Sequence, residues 1–441
     1  MLIFARGGGK TYSYVARSLI ALLGFISFTV NAAEYYVATS GSDQNDGSIN
    51  SPFATLPFAL SKADAVIADG IESVTINVSD GTYDITESES QLNLTNAITI
   101  VGNILDPSAV IILNNSTAHR TFYIGHDSAA IKGVTVSRDS VESVSGVTSG
   151  GHISFHKGLI EDCVIKGGRI GSAAEETSSQ LGGNIYMKGG RIIRSKILNG
   201  SALLSKNGVQ YSLYAIGNIY VDGTVDGSLP IIENCLIANG EAQGVKNSTT
   251  TAPRKTGNIA ITGSGYVINC TIVGGKSSSG IGGITLFNND NFTDTKIINC
   301  VMMGNNGIAS YTANCHKDWG IGKSNYSDKI KNRLLKAYIN CASGLWSEPG
   351  YNGATYASVA PNATCIEIAN KNDAFENYSA GDYRPRKKDP VSPLINAGTS
   401  RTEYLKCATS TTDLGGSSRF CSKLDIGCYE CLNSGFSVIV R

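Results

Sequence analysis

Three side chains that can exchange protons stand at one shared offset from a repeated Gly-x-Ile phrase. They are His156, Lys188 and Asp222, and tyrosines stand two residues before the last two of them, at Tyr186 and Tyr220. Because successive side chains of a strand point to opposite faces, all five share the outer face of the strands that carry them. Aromatic rings beside hydrogen-bonding groups suit a sugar polymer. The spacing therefore predicts a polysaccharide site, with tyrosines on one level and charges on the next.

Two reactions on polysaccharides can be compared with these residues. A β-eliminating lyase needs a base that removes the proton next to a uronic carboxylate, usually with calcium to hold the developing charge. Lys188 is the expected base, with His156 and Asp222 beside it. Calcium prefers several carboxylates, whereas this face offers Asp222 and a loop residue, Glu241. A glycosidase needs two carboxylates across the bond, and no second acid is predicted here. Neither catalytic set is complete, so binding alone and binding with cleavage both stay open.

Long excursions precede these strands at one corner of the repeat. They lie between Ile165 and Gly183, between Ile197 and Gly217, and between Ile237 and Gly257. Insertions stacked on one side of a repeat protein often build a binding face. We expect Arg254, from the third excursion, to contact the polysaccharide.

The strands themselves are predicted by a repeated phrase rich in Ile, Val, Asn and Cys. It is fullest at Tyr266–Thr271 and returns at Ile231–Leu236, Ile297–Val301 and Ile160–Val164. One copy cannot bury its apolar side alone, whereas stacked copies bury a continuous core. The fold class is therefore all-β, a single-stranded parallel β-helix. Its predicted inward columns are Ile160, Ile192, Ile232, Val267 and Ile297; Cys163, Ser195, Cys235, Cys270 and Cys300; and Ile165, Ile197, Ile237, Ile272 and Met302.

Asparagines stand immediately before three of these cysteines, at Asn234, Asn269 and Asn299. Asparagine tolerates the left-handed backbone of a tight turn, and its amide can bond the copies above and below. We expect the three to stack at one turn. The cysteines beside them lack the paired spacing of metal ligands, so they are expected to be small buried thiols.

The N-terminal region predicts a leader and a cap. Residues 1–33 have Arg6, Lys10 and Arg17 before an apolar run and small residues suited to cleavage, as in a secretory signal peptide. Leu56–Ala68 has helical spacing with Thr55 as N-cap, and this helix is expected to cover the open end of the stack. We expect a signal peptide (1–33), an N-terminal strand and capping helix (34–70), a β-helix (71–345) and a cysteine-rich tail packed on it (346–441).

Several motifs carry a resemblance to a known family. The segments Tyr35–Asp43 and Ser51–Thr55, the turn Asp80–Tyr83 and the Ile-Asn-Cys phrases resemble the pectate-lyase-like right-handed parallel β-helix proteins. The tail resembles one bacterial branch of secreted β-helix proteins, although Asn396 stands where that branch often has Asp; its motifs here are Gly381–Arg384, Ser392–Gly398, Asp413–Gly415 and Asp425–Glu430. The resemblance implies that the outer face carrying Tyr186 is the floor of a sugar groove.

Seven cysteines lie beyond the repeats, at Cys315, Cys341, Cys365, Cys407, Cys421, Cys428 and Cys431. In an exported chain such a cluster predicts disulfides, whose connectivity the sequence does not fix. Zinc held by Cys407, Cys421, Cys428 and Cys431 is the alternative.

Composition narrows the partners. The formal net charge is zero and no basic stripe is present, which argues against nucleic acid, and no segment is long and apolar enough to span a membrane. We therefore predict a protein of the secreted, cell-surface or periplasmic space that binds polysaccharide, with its cleavage left open and calcium as the one candidate cofactor. The alternative is a non-catalytic surface or adhesive protein whose stack serves as a rigid spacer.

Overall fold

The computed structural model describes most of the chain. The described residues are 31–171, 178–204, 213–224, 228–244, 255–278, 280–287, 294–307, 317–321, 328–344, 363–420 and 423–431. Almost all of the predicted signal peptide therefore lies outside them, as do Arg254, Cys315 and Cys421. No described helix is long and apolar enough to cross a membrane.

The described chain coils through three long parallel sheets, which confirms the predicted parallel β-helix. Each coil passes in turn through the second, first and third sheets as numbered here. The first sheet contains Ala32–Val37, Ser73–Val78, Ile98–Val101, Ala130–Lys132, Leu159–Glu161, Arg191–Ile193, Ile231–Glu233, Gly265–Ile268, Thr295–Ile298 and Tyr338–Ile339. The second contains Leu92–Leu94, Phe122–Ile124, Ile153–Phe155, Ile185–Met187, Ile219–Gly223, Ile259–Gly263, Ile284–Phe287 and Trp319–Ile321. The third contains Gly81–Asp84, Val110–Leu113, Thr135–Ser137, Val164–Lys166, Lys196–Leu198, Leu236–Ala238, Thr271–Val273, Val301–Met303, Ala342–Ser343 and Ile366–Glu367.

Two further parallel sheets of short strands take most of their strands from the predicted excursions. A fourth sheet contains Arg169–Ile170, Ser201–Leu203, Glu241–Gln243, Lys276–Ser277 and Asn306–Gly307, and a fifth contains Gln180–Leu181, Ala215–Ile216 and Lys255–Thr256. Ile170, Ala202, Ala215 and Ala242 are fully buried in one small apolar cluster. These described strands therefore form a lobe beside the second sheet.

The predicted inward columns are confirmed. Every member of the three columns is at most 1% exposed, from Ile160 to Met302. The pairing register joins Ile160 to Ile192, Ile192 to Ile232 and Ile232 to Val267, so like positions lie directly above one another. Parallel strands about 4.8 Å apart give each buried residue a copy above and below it, which explains why an Ile-rich phrase recurs at each level.

The corner between the first and third sheets, called the left-handed corner below, is formed by residues whose backbone adopts the left-handed conformation. Asp162, Arg194, Asn234, Asn269, Asn299 and Asn340 all have φ between 43° and 55°. The stacking predicted for the asparagine amides is found between Asn299 and Asn269, whose Nδ2 and Oδ1 atoms are 3.1 Å apart. Asn234 instead donates to the hydroxyl of Tyr404 and the carbonyl of Thr412, both in the C-terminal tail.

A second file of asparagines runs through the interior at the corner that leads into the second sheet. The amide of Asn184 donates to Asn218, Asn218 donates to Asn258, and Asn258 donates to Asn305, with N–O distances of 2.8, 2.8 and 3.0 Å. Each of these side chains is at most 2% exposed. His152 occupies the equivalent position one coil earlier and bonds the hydroxyl of Thr121 and the carbonyl of Lys166. This file fixes the backbone immediately before the second-sheet strands.

Helices lie at the ends of the stack and in the tail. They span Leu56–Ala68, Asp328–Lys336, Lys371–Ala374 and Arg401–Leu405, and the tail adds an antiparallel pair, Phe375–Asn377 with Asp382–Pro385. The first helix begins as predicted, because Thr55 Oγ1 accepts a hydrogen bond from the amide of Phe58. Its buried residues, among them Leu56 and Leu60, join the main core.

The C-terminal tail lies along the left-handed corner, where polar contacts hold it. Glu233, which is fully buried, accepts hydrogen bonds from the amides of Thr409 and Ser410 and from the hydroxyl of Thr409. Arg419 is also fully buried and donates to Asn234 on the β-helix and to Glu430 in the tail. Burial raises the pKa of Glu430 to about 7, although Arg419 opposes this.

The described cysteines correct the prediction of disulfides in the tail. Cys407, Cys428 and Cys431 are free thiols, as are the rung cysteines and Cys341. Cys428 is fully buried in an apolar cluster of the third sheet and the tail, and its amide donates to the hydroxyl of Thr271. Its thiol therefore packs like a small apolar side chain. The zinc alternative includes Cys421, which lies outside the described residues, and the described residues contain no group of three His, Cys, Asp or Glu able to hold a metal.

Candidate functional site

The outer face of the second sheet places the predicted residues in the predicted register. Ser154 pairs with Tyr186, Tyr186 with Tyr220, and Tyr220 with Ala260 on adjacent strands. Between them the strands turn Ile153, Ile185, Ile219 and Ile259 into the core, each fully buried. Alternation along a strand then leaves the tyrosines on the outer side.

Tyr186 and Asp222 are joined by a short hydrogen bond on this face. The Tyr186 hydroxyl donates to Asp222 Oδ2 at 2.6 Å, and the hydroxyl of Thr224 donates to the other carboxylate oxygen. The Tyr186 ring lies parallel to that of Tyr220, with a centroid separation of 5.8 Å and an interplanar angle of 6°. Burial and the adjacent Asp222 carboxylate both raise the pKa of Tyr186, so its phenol stays protonated. The ring is thereby held in one orientation.

Tyr220 does not have the exposure that the sequence predicted. It is 9% exposed and packs in a cluster with Ile216, Ala260 and Phe287, and its hydroxyl donates to Thr262 at 2.9 Å. Burial raises its pKa to about 12. The prediction considered only alternation along the strand, and it missed the side chains from the neighbouring lobe and strands that cover this ring. Tyr220 thus packs against the ring of Tyr186 from the adjacent strand and exposes little surface of its own.

His156 lies between Ser154 and two aromatic rings. Its Nε2 is 3.1 Å from the hydroxyl of Ser154, and its ring is 5.0 Å from Tyr123 and 6.5 Å from Tyr186 by centroid. Burial, Lys188 and Arg120 lower the pKa of His156, while Asp222 raises it by less. The imidazole is therefore neutral near neutral pH, the state in which it can accept a proton.

A cavity of about 480 Å³ opens over these side chains. Lys188, His156 and Tyr186 line it, together with two residues that sequence reasoning missed, Arg120 and Tyr123. No carboxylate belongs to its described lining, and neither Arg120 nor Lys188 forms an ion pair with a described residue. The Lys188 ammonium lies 5.6 Å from the centre of the Tyr186 ring. The described lining of the cavity therefore carries two cationic side chains, two tyrosine rings and no carboxylate.

Tyr123 had a recoverable signal in the sequence, whereas Arg120 had none. Tyr123 pairs in register with Ser154 and so belongs to the same outward column as Tyr186. Its coil lacks the Gly-x-Ile phrase, which is why the repeat did not reveal it. Arg120 precedes the strand Phe122–Ile124 and reaches the cavity from a turn, so no strand pattern predicts it.

The carboxylates of this face do not fit calcium. Asp222 is absent from the cavity lining, and its two oxygens are engaged by Tyr186 and Thr224. Glu241, the expected second ligand, lies on the fourth sheet and accepts a hydrogen bond from Gln243. Calcium needs six to eight oxygen ligands, several of them carboxylates. The other predicted contact, Arg254, lies outside the described residues.

Comparisons with known proteins find little. No family model matches the sequence, and no curated protein matches it. Among solved structures, a chain described as "Rhamnogalacturonan lyase" is similar at 14% sequence identity and a TM-score of 0.37, and the match covers 88% of this chain and 100% of that one. That likeness is too low to carry an argument about activity.

Proposed function

We propose that this protein binds an acidic polysaccharide in the cavity on the second sheet. The observation that carries the proposal is the charge of that cavity: Arg120 and Lys188 line it without a carboxylate partner among the described residues. A guanidinium and an ammonium can each pair with a sugar carboxylate, and the rings of Tyr123 and Tyr186 offer apolar surface to the faces of sugar rings. The location in the secreted or cell-surface space follows from the predicted signal peptide.

The same residues support cleavage by β-elimination. In such a reaction a base takes the proton next to the uronic carboxylate, the adjacent carbon–oxygen bond breaks with its electron pair on oxygen, and that oxygen takes a proton from water. A double bond forms in the sugar that lost the proton. We propose His156 as the base, because its lowered pKa keeps it neutral. Lys188, which the sequence suggested as the base, then serves with Arg120 to stabilise the carboxylate and the negative charge that develops on it.

Binding can be tested with a glycan array followed by calorimetry on the glycans that bind. Arg120→Gln and Lys188→Gln should each weaken an acidic glycan roughly 10-fold to 100-fold, the range expected for one charged hydrogen bond. Lys196→Gln is the matched control, because it removes the same charge from an exposed position on the third sheet. Equal affinity of Arg120→Gln and wild type for every acidic glycan would refute the assignment.

Cleavage is tested separately by the ultraviolet absorbance of unsaturated products. His156→Gln should abolish product formation while the glycan still binds, whereas Lys188→Gln should weaken both. Wild-type protein that binds an acidic glycan but never releases unsaturated product would favour the alternative, a binding or adhesive protein.

A further inference from the structure

A second cavity, of about 410 Å³, lies on the lobe. The cavity on the second sheet, beside this lobe, is called the groove from here on. Residues 141–148 form one side of it, and Arg169, Ser201, Leu203 and Gln243 of the fourth sheet form another. The 141–148 segment is fixed in place, because Val144 forms a parallel bridge with Ile170 and its amide donates to the carbonyl of Arg169. Thr148 lines both this cavity and the groove cavity.

Arg169 is the cation of this second cavity. It is half-buried, and among the described residues it has no ion-pair partner and no side-chain hydrogen bond. The register of the fourth sheet places it beside Ser201, and Ser201 beside Glu241, so the nearest acid in its column lies two strands away. Glu142, on the 141–148 segment, is the one carboxylate of the described lining, and it is exposed at the rim.

A second guanidinium, outside the cavity lining, lies close enough to Arg169 for their charges to interact. Arg138 is 5% exposed; its Nη2 donates to the carbonyl of Ser116, but its Nε and Nη1 atoms have no partner in the described part of the chain. Burial and the charge of Arg169 lower its pKa to about 10, so it remains charged near neutral pH. Buried charges are normally paired, because an unpaired one is costly to take out of water. Arg169 in the lining and the buried Arg138 near it, with the exposed Glu142 as the one carboxylate of the described lining, give this region two cations that an anion would neutralise.

The remaining lining defines what kind of anion fits. Ser201 and Ser145 bring hydroxyls, Gln243 brings an amide, and Leu203 and Val144 bring apolar surface. Alternating polar and apolar contacts match a sugar ring, whose edges carry hydroxyls and whose faces are apolar, whereas a compact inorganic anion would use the charge alone.

We propose that this second cavity binds a carboxylate-bearing sugar, with Arg169 pairing the carboxylate and Arg138 adding a second positive charge near Arg169. The site is distinct from the groove and does not rest on the function proposed for it. Its position next to Thr148 allows one acidic chain to reach both sites.

Calorimetry with glucuronate, against glucose and inorganic sulfate, tests the proposal on the full-length protein. Arg169→Gln should weaken glucuronate at this site at least 10-fold, and so should Gln243→Glu, which puts a carboxylate into an exposed position of the lining. Lys276→Gln is the matched control: it makes the same one-unit change in charge on the same sheet, three strands from Arg169 in the same column. Glucuronate bound in the groove is distinguished because Arg120→Gln, and not Arg169→Gln, removes it.

The exposed Gln243→Glu variant keeps the test valid if Arg169→Gln folds poorly. Failure of glucuronate to bind the wild type, equal loss of affinity in Lys276→Gln, or binding of glucose as tight as that of glucuronate would each overturn the proposal. Binding of sulfate without glucuronate would overturn the assignment to a sugar.

Discussion

The interior asparagine file makes a quantitative prediction about the foundation of the groove. Asn218 is fully buried and uses every hydrogen-bonding position of its amide. Its oxygen accepts from the amides of Asn184 and Gly200, and its nitrogen donates to the carbonyl of Ala238 and to Asn258. Asn184 Nδ2, Asn258 Oδ1 and the carbonyl of Ala238 each keep another partner, whereas the amide of Gly200 keeps none, and Asn218→Ala therefore breaks four buried hydrogen bonds. At about 1 kcal/mol for each, the free energy of unfolding should fall by about 4 kcal/mol.

The measurement is urea denaturation followed by circular dichroism, with linear extrapolation to water. Asn77→Ala is the control, because Asn77 lies on the outer side of the strand Ser73–Val78, half-exposed, and should change the free energy of unfolding by less than about 0.5 kcal/mol. Asn184→Ala should cost less than Asn218→Ala, since Asn184 makes three such bonds, to Gly168, Leu198 and Asn218. Equal stability of Asn218→Ala and Asn77→Ala would refute the view that the file contributes to stability.

Two further changes test the same architecture. His152 is fully buried and burial lowers its pKa to about 3, so the folded protein excludes a proton that the unfolded chain binds below its ordinary pKa. The free energy of unfolding should therefore be highest above about pH 6.5 and should fall by about 2 kcal/mol between about pH 7 and about pH 5. His152→Asn, which places the residue of the next coils at this position, should remove that fall in pH-dependent denaturation, and an unchanged slope would contradict the assignment. Glu233→Ala removes the acceptor that holds Thr409 and Ser410 to the β-helix. The tail should then be cut faster in limited proteolysis, and the free energy of unfolding should drop by about 3 kcal/mol. Glu87→Ala, at an exposed position, is the control, and equal cutting rates of the two variants would show that other contacts hold the tail.

The sequence repeat predicted most of the buried residues of the β-helix core and some of the residues of the candidate site. Columns such as Ile160 to Ile297 were predictable because strand alternation and stacking give every coil the same inward positions. Tyr186 and Lys188 followed from the same offsets and both line the groove cavity. Contacts between different elements were not predictable in this way. Tyr220 is covered by side chains from other strands and Arg120 enters from a turn, and neither arrangement leaves a periodic trace.

The interior asparagines show why alternation fails at corners. Alternation from the buried Ile185 and Ile219 would put Asn184 and Asn218 on the outer face, yet both are fully buried. The chain turns there, so two consecutive side chains point inward. A polar residue can occupy this place because the adjacent coils supply matching amides, which satisfies every buried hydrogen-bonding group. The Gly-Asn-Ile phrase is thus a corner motif, and its asparagine orients the strand that follows.

The left-handed corner between the first and third sheets explains why the C-terminal tail binds the β-helix in one position, although successive coils resemble one another. In the two coils without asparagine, Arg194 pairs with Asp162 through both Nε and Nη2, and its Nη1 donates to the hydroxyl of Ser410 in the tail. Asn234 and Asn269 have bonding capacity left over, and the tail uses it through Tyr404, Thr412 and Asp425. A tail displaced by one coil would lose these bonds and the contact of Ser410 with Arg194. The departures from a perfect repeat at this corner, more than the repeat itself, therefore fix where the tail binds.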